Sequence, residues 1–195
     1  MYLTLNYRVR RFECFSDWIS GTNYYWPLNE LVDNDTKALG TIPGTVYGNV
    51  NRTYGFPNRR YALHFSSSGA YLDIGPFPAE CIIDPSQCIY GVTVSFVVQF
   101  EDNAQNWTSD TLVVDTIGDK TMRKGKPGFA VYVANNRFYV TVVTGKKNST
   151  VSKPLITGDM VWHHVLFSWH MEKGLVLYLN GTQRSVACHR KIKLS

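Results

Sequence analysis

Four cysteines carry the most reactive side chains of this 195-residue chain. Cys81 and Cys88 are separated by six residues that include Asp84-Pro85-Ser86, whereas Cys14 and Cys188 are remote from them. A zinc site would need a second close pair of ligands, and a redox pair would need Cys-x-x-Cys spacing. A turn at Asp84-Pro85-Ser86 therefore favours a loop disulfide between Cys81 and Cys88. Two free buried thiols remain the alternative, and a second pair, Cys14 with Cys188, stays open.

Five asparagines stand in the N-x-[Ser/Thr] pattern that accepts N-linked glycans. They are Asn34, Asn51, Asn106, Asn148 and Asn180. Most fall in predicted loops or turns, and five sequons beside a disulfide indicate the secretory route and an extracellular location. Asn180 is the poorest candidate because it stands in a tight predicted turn.

The remaining reactive residues do not form a catalytic pattern. His163 and His164 are neighbours on a predicted strand, so their side chains point to opposite faces and cannot share one metal ion. The paired carboxylates by which some β-sandwich enzymes cleave glycans, in a Glu-x-Asp-x-x-Glu pattern, are absent from the sequence. A nucleophile elbow, a phosphate-binding loop and a dinucleotide-binding glycine motif are absent too. The sequence predicts that the chain is not an enzyme.

Charge and hydropathy exclude two further classes. The net charge of +5 comes from basic residues that are scattered along the chain, whereas a nucleic-acid-binding protein gathers them on one element. No apolar run approaches the roughly 20 residues that span a bilayer. No signal peptide is visible either, because no apolar stretch follows the early arginines. We therefore predict no nucleic-acid partner and no membrane span within the chain.

Alternation of apolar and polar residues predicts the elements that position these side chains. The clearest strand covers 92–100, where five large apolar residues share one face: Val92, Val94, Phe96, Val98 and Phe100. Shorter strands are predicted within 61–74, 111–116 and 161–169.

Two hairpins complete the predicted elements. One lies within 128–143 and turns at Asn135-Asn136, whereas the other lies within 174–186 and turns at Asn180-Gly181. Many short strands without helices predict an all-β fold, an antiparallel sandwich of two sheets.

Five stretches, in this order along the chain, resemble motifs of laminin-G-like and pentraxin-like domains. They are YYWPLNE at 24–30, RYALHFSSSGAYLDIG at 60–75, GVTVSFVVQF at 91–100, DMVWHHVLFSW at 159–169 and GLVLYLNGT at 174–182. The Cys-x6-Cys segment before GVTVSF is most similar to the pentraxin-type domain of adhesion G-protein-coupled receptors.

The resemblance implies a concanavalin A-like jelly-roll sandwich. On this basis the sandwich occupies 23–187, between an N-terminal extension at 1–22 and a short basic tail at 188–195. The family's closing strands are not found before the end of the sequence. We therefore expect an incomplete sandwich, and the chain to be a fragment of a larger cell-surface or matrix protein.

The resemblance also implies a function. Domains of this kind act as non-catalytic extracellular recognition or adhesion modules, so a protein or glycan ligand is expected and no obligatory cofactor. The alternative is a lectin-like domain that binds carbohydrate with the help of calcium. Many family members hold calcium through oxygen ligands in loops, and the candidates here are Asp33, Asp35 and Asp102.

Overall fold

The computed structural model describes residues 2–8, 24–26, 31–32, 35–36, 44–54, 61–66, 69–74, 81–100, 111–116, 126–145, 147–155 and 161–187. These residues form sixteen strands, one short 3-10 helix at Pro85–Gln87 and no α-helix. The strands are β1 Tyr2–Arg8, β2 Tyr24–Trp26, β3 Leu31–Val32, β4 Asp35–Thr36, β5 Gly44–Tyr47, β6 Val50–Tyr54, β7 Tyr61–Phe65, β8 Tyr71–Asp73, β9 Val92–Gln99, β10 Thr111–Asp115, β11 Gly128–Ala134, β12 Arg137–Thr144, β13 Lys147–Pro154, β14 Trp162–His170, β15 Gly174–Leu179 and β16 Thr182–Ala187.

The largest sheet has the strand order β16-β15-β14-β9-β1-β7-β6, and β2 pairs with β1. Its central strand, β9, lies antiparallel to β14 on one side and to β1 on the other. The residues that alternation placed on one face of β9 are buried, which explains why this segment is so regular in sequence. The predicted strand is therefore confirmed.

A second sheet, with the order β10-β11-β12-β13, covers the inner face of the first. Phe129 of this sheet meets Phe167 of β14 edge to face, with ring centroids 5.0 Å apart. At the side of the sandwich, Lys153 Nζ donates a hydrogen bond to the carbonyl oxygen of Leu179, at 3.2 Å. Apolar side chains from both sheets thus form one core, as expected for two packed sheets.

A third, small sheet has the order β3-β4-β5-β8. Val46 and Leu72 are partners in register on β5 and β8, and both belong to the apolar core or pack against it. Because side chains alternate along a strand, the residues on either side of them point away from the core. This arrangement places Tyr47 and Tyr71 on the outer face of the small sheet.

Both predicted hairpins are present and turn where the sequence indicates. Asn135 and Asn136 have φ of 48° and 55°, and Asn180 and Gly181 have φ of 52° and 74°. Consecutive residues with positive φ are typical of type I′ turns, which match the twist of the strands they connect. The structure therefore confirms these turn predictions and the all-β antiparallel sandwich.

The N-terminal segment differs from its predicted position. The sequence analysis placed 1–22 outside the sandwich because these residues do not resemble the family motifs. In the structure, Tyr2–Arg8 forms β1 and pairs with β9 along its whole length, from Tyr2 opposite Gln99 to Arg8 opposite Thr93. β1 also pairs with β7, so the segment supplies an interior strand of the largest sheet. The tail at 188–195 lies outside the described residues.

Within the part of the chain that the structure describes, no helix has the length and apolar character to cross a bilayer.

Candidate functional site

The structure joins Cys81 and Cys88 in a disulfide, with their Cα atoms 5.0 Å apart. We call the loop that they close, residues 81–88, the clasp. Its turn is a 3-10 helix capped by Asp84, whose Oδ1 accepts hydrogen bonds from the Ser86 backbone N–H at 3.1 Å and from Ser86 Oγ at 2.7 Å. Closing so short a loop stabilises the fold by roughly 2–3 kcal/mol in the chain-entropy model.

The negative charge of Asp84 is stabilised by hydrogen bonds within this turn. Partial burial by itself would raise the pKa of the carboxyl, but hydrogen bonds from Ser86 and Gln87 outweigh it and lower the pKa below its usual value. Hydrogen bonds that favour the carboxylate form act in this direction. Asp84 is therefore ionised at neutral pH and serves as the structural cap of the clasp.

One side of the clasp is part of the core. Ile82, Pro85 and Cys88 are buried, and the 3-10 helix lies against β12 of the second sheet. Cys88 leads within four residues to β9 of the largest sheet. The clasp thus connects the two sheets at one end of the sandwich. Its buried side chains and the disulfide fix its backbone there.

Gly91 fixes the clasp to the strand that follows. It has φ of +78°, and its N–H donates to the Cys88 carbonyl oxygen at 2.8 Å. A Cβ at this position would collide with the carbonyl oxygen of Trp169 and lie 3.2 Å from the His170 ring. Because Gly91 lies against Trp169 and His170, Tyr90 lies beside the turn that follows β14.

Four exposed apolar side chains gather around this clasped end, and we call them the tip. They are Ile83, Ile89, Tyr90 and Met171. Ile89 is 69% exposed and Tyr90 67%, which is unusual for large apolar residues on a rigid turn. Large apolar side chains left exposed near one end of a domain are typical of surfaces that other molecules cover. The tip is therefore the candidate binding surface.

The sequence analysis singled out the clasp and missed the tip. The signal was available, because Ile89 and Tyr90 lie between the second cysteine and the first inward-facing residue of β9. Two large apolar residues at that position belong neither to the disulfide loop nor to the strand alternation. Met171 carries no such signal, since only the fold brings its turn next to Gly91.

One pair of side chains has the spacing of a nucleophile and its base. Ser95 Oγ and His164 Nε2 are 2.8 Å apart, within the range seen for a serine activated by histidine. Ser95, however, is only 2% exposed, so a substrate cannot reach its hydroxyl. Burial also lowers the pKa of His164. The pair ties β9 to β14.

His163 and His164 lie on opposite faces of β14, as strand alternation requires. His163 is buried in the core, where Phe138 meets its ring edge to face at 5.5 Å between centroids. His164 lies on the outer face, and its backbone N–H donates to Asn180 Oδ1 at 2.8 Å. The two imidazoles therefore do not form a common metal site.

The calcium candidates can be placed only in part. Asp33 and Asp102 lie outside the described residues, whereas Asp35 is in β4, opposite Thr45 of β5. Across the described part of the chain, no group of three or more His, Cys, Asp or Glu side chains is arranged to hold a metal ion.

The sequons differ in their local structure. Asn34 and Asn106 lie outside the described residues. Asn51 in β6 and Asn148 in β13 are exposed. Asn180 is also exposed, but its Oδ1 is held by His164 and its backbone N–H donates to the His164 carbonyl oxygen at 2.8 Å.

These differences predict which sequons carry a glycan. When the chain is secreted from animal cells, we expect high occupancy at Asn51 and Asn148 and several-fold lower occupancy at Asn180. His164 holds Asn180 through both its side-chain Oδ1 and its backbone N–H, so Asn180 is a poor acceptor once the turn forms. Glycopeptide mass spectrometry after enzymatic deglycosylation in ¹⁸O-water measures each occupancy. Equal occupancy at Asn148 and Asn180 would contradict the prediction.

Comparison with known proteins adds evidence of relationship. No protein-family model matches the chain. It is 26% identical over 192 residues to adhesion G-protein coupled receptor D1 of Bos taurus, in an alignment that covers 86% of the chain and 20% of the receptor. The receptor of the same name from Homo sapiens is 27% identical over 165 residues, covering 84% of the chain and 17% of the receptor. The chain thus spans about a fifth of the length of these relatives.

Solved structures agree on the fold. The binding domain of botulinum neurotoxin DC, in complex with rat synaptotagmin II, superposes with a TM-score of 0.57 at 13% identity, over 84% of the chain and 38% of the toxin domain. A structure described as HCR/D-Sa-GBL1/C gives a TM-score of 0.56 at 14% identity, over 86% of the chain and 40% of the other. The chain is homologous to a segment of adhesion G-protein coupled receptor D1, and its antiparallel β-sandwich is consistent with the pentraxin-like and laminin-G-like jelly roll that its motifs resemble.

Proposed function

We propose that this chain is a non-catalytic extracellular recognition module of a larger cell-surface receptor, and that the tip binds a protein ligand. The observation that carries this proposal is the set of four exposed apolar side chains at the clasped end, with Ile83 in the disulfide loop, Ile89 and Tyr90 directly after it, and Met171 on the turn after β14. Homology to a segment of an adhesion receptor supports the recognition role. The disulfide supports an extracellular location, because disulfides persist in oxidising compartments.

The chemistry of the tip favours a protein over other ligands. Isoleucine, tyrosine and methionine side chains are the kind that fill the apolar centre of a protein interface. Around them, Glu172 and Lys173 are exposed and of opposite sign, as in a polar rim. The turn is already fixed by the disulfide and by Gly91, so little conformational entropy is lost on binding. A toxin domain of this fold is itself seen in complex with a protein, synaptotagmin II.

The test is binding of the secreted chain to suspended animal cells, measured by flow cytometry. The double variant Ile89→Ser/Tyr90→Ser should bind at least about tenfold more weakly, because two anchors leave the interface while the core is untouched. Brief trypsin treatment of the cells should abolish binding of the unaltered chain. The variant Arg52→Ser, which alters an exposed residue of the edge strand β6, is the control and should bind normally.

Two outcomes would contradict the proposal. One is full binding by the Ile89→Ser/Tyr90→Ser variant with an unchanged melting temperature. The other is binding that survives trypsin but is lost after glycosidase treatment. A chelator arm separates the alternative, a calcium-assisted lectin, since that function requires binding to disappear in EGTA and to return with added calcium.

A further inference from the structure

The turn between β14 and β15 carries an apolar residue of the tip and two opposite charges next to it. It consists of Met171, Glu172 and Lys173, because His170 and Gly174 are the last partners in register on the two strands. All three residues of the turn are exposed. An apolar side chain is therefore followed directly by an acidic one and a basic one on a very short loop.

The backbone of this turn is held in place. The Glu172 N–H donates a hydrogen bond to His170 Nδ1 at 3.1 Å, and Gly174 closes the loop with φ of +80°. The His170 ring lies against Gly91, since a Cβ there would be 3.2 Å from His170 Cδ2. The turn and Tyr90, which precedes Gly91, are thus positioned before any ligand arrives, which reduces the entropy lost on binding.

Two adjacent charges of opposite sign restrict the kind of ligand that fits the tip. A ligand surface of one sign would attract one of the two charges and repel the other, so it gains little from the pair. A surface that carries the same two charges in the reverse order gains from both. A second copy of the chain presents such a surface when a two-fold axis relates the copies, because residue i then contacts residue j while j contacts i. With the axis between Glu172 and Lys173, Glu172 of each copy faces Lys173 of the other.

We propose that the tip binds the tip of a second copy of this chain, so that the module recognises itself. This inference rests on the proposed function, because it names the protein that the same surface binds. Ile89, Tyr90 and Met171 bury apolar area against the other copy, and the two Glu172–Lys173 pairs set the orientation of the copies. The result is an isologous interface with an apolar centre and a charged rim.

The size of the tip determines where this interaction is strong. The tip and its two charged neighbours number six residues, whereas a standard protein interface has about 20–30 residues on each side. Two isolated copies are therefore expected to dissociate readily in solution. Association becomes strong where many copies on one surface face many on another, because each contact then raises the effective concentration for the next.

The experiment is aggregation of red and green fluorescent beads that are coated with the secreted chain, with no other protein present. We expect beads that carry the unaltered chain to form mixed aggregates. Ile89→Ser/Tyr90→Ser on both sets should reduce aggregation at least about tenfold, because the apolar centre is lost. Glu172→Lys on both sets, or Lys173→Glu on both sets, should reduce it about tenfold, because like charges then face each other across the axis.

Mixing the two charge variants gives the decisive result. Glu172→Lys beads mixed with Lys173→Glu beads again place opposite charges at both contacts, so mixed aggregates should form although neither variant aggregates by itself. Loss of folding in either variant cannot produce this rescue. Arg52→Glu is the control for charge reversal, because Arg52 lies opposite Leu63, in the row of residues that contains Val98, at the other end of β9 from the tip. Beads that carry it should aggregate like the unaltered ones.

The proposal is overturned if unaltered beads do not aggregate, or if the mixed charge variants aggregate no more than either variant alone. If this happens while Ile89→Ser/Tyr90→Ser still loses binding to animal cells, the tip binds a different protein and the proposed function stands. Full binding of that double variant to cells overturns the proposed function itself.

Discussion

Replacing Gly91 with alanine should lower the free energy of unfolding by about 3 kcal/mol. A side chain at a φ of +78° costs about 1–2 kcal/mol because Cβ crowds the backbone. The new Cβ would also strike the Trp169 carbonyl oxygen, which belongs to the β14 ladder and is not free to move. Overpacking of this kind costs typically 1–3 kcal/mol. Urea unfolding followed by tryptophan fluorescence measures the change.

Gly181 provides a matched control for the Gly91 variant. Its φ is +74°, but no heavy atom lies within 4 Å of where a Cβ would be. Gly181→Ala should therefore cost only the backbone component, about 1–2 kcal/mol. If the two variants lose the same stability, the contact with Trp169 does not hold the clasped end as we describe.

Acidification should destabilise the protein through His163. Burial lowers the pKa of this imidazole below its ordinary value of 6.5, because the charged form is poorly solvated. Between the two pKa values the unfolded chain therefore binds more protons than the folded chain, so stability falls as the pH falls below about 6.5. The slope approaches about 1.4 kcal/mol per pH unit for one such group, and above about pH 7.5 this contribution is constant.

The surroundings of His163 explain why its protonation is so unfavourable. Its Nδ1 is buried and makes no hydrogen bond in the described structure, and the rings nearest to it are those of Phe138 and Phe100. His163→Leu should remove this component of the pH dependence while leaving the component from His164, whose pKa burial also lowers. Urea unfolding at intervals from pH 7.5 to 5.5 gives the slope for each protein.

Phe138→Leu is the matched control for the histidine variant, since it alters the same pocket without removing a titratable group. Phe138→Leu should have a lower free energy of unfolding at every pH. The slope of that free energy against pH should equal the slope of the unaltered chain. A His163→Leu variant that loses stability on acidification as steeply as the unaltered chain would refute the assignment.

Features set by neighbouring residues could be predicted from the sequence. The alternation in β9, the Asn135-Asn136 and Asn180-Gly181 turns and the Cys81–Cys88 loop each depend on residues close together in the chain. Their conformations follow from side-chain periodicity, from the tolerance of asparagine and glycine for positive φ, and from the short span between the two cysteines.

Features that depend on pairing between distant strands could not be predicted. Tyr47 and Tyr71 lie side by side only because of the register of β5 with β8. Gly91 must be a glycine only because the fold brings Trp169 and His170, at the end of β14, against it. β1 shows the same difficulty, because 1–22 was expected to lie outside the sandwich and only the fold shows which strands flank Tyr2–Arg8. Strand order within a sheet is set by the packing of the whole core, and no local pattern encodes it.

The interior position of β1 has a consequence for the order in which the chain acquires its structure. Leu3 pairs with both Val98 and Leu63, so the pairing of β1 can be completed only after β9 has been synthesised. Contacts between residues so far apart in sequence close large loops, which slows folding. Until then the edge of β1 that pairs with β9 remains open to other chains. The interior position of β1 thus leaves an exposed strand edge for as long as β9 is missing, and an exposed edge is a site of aggregation.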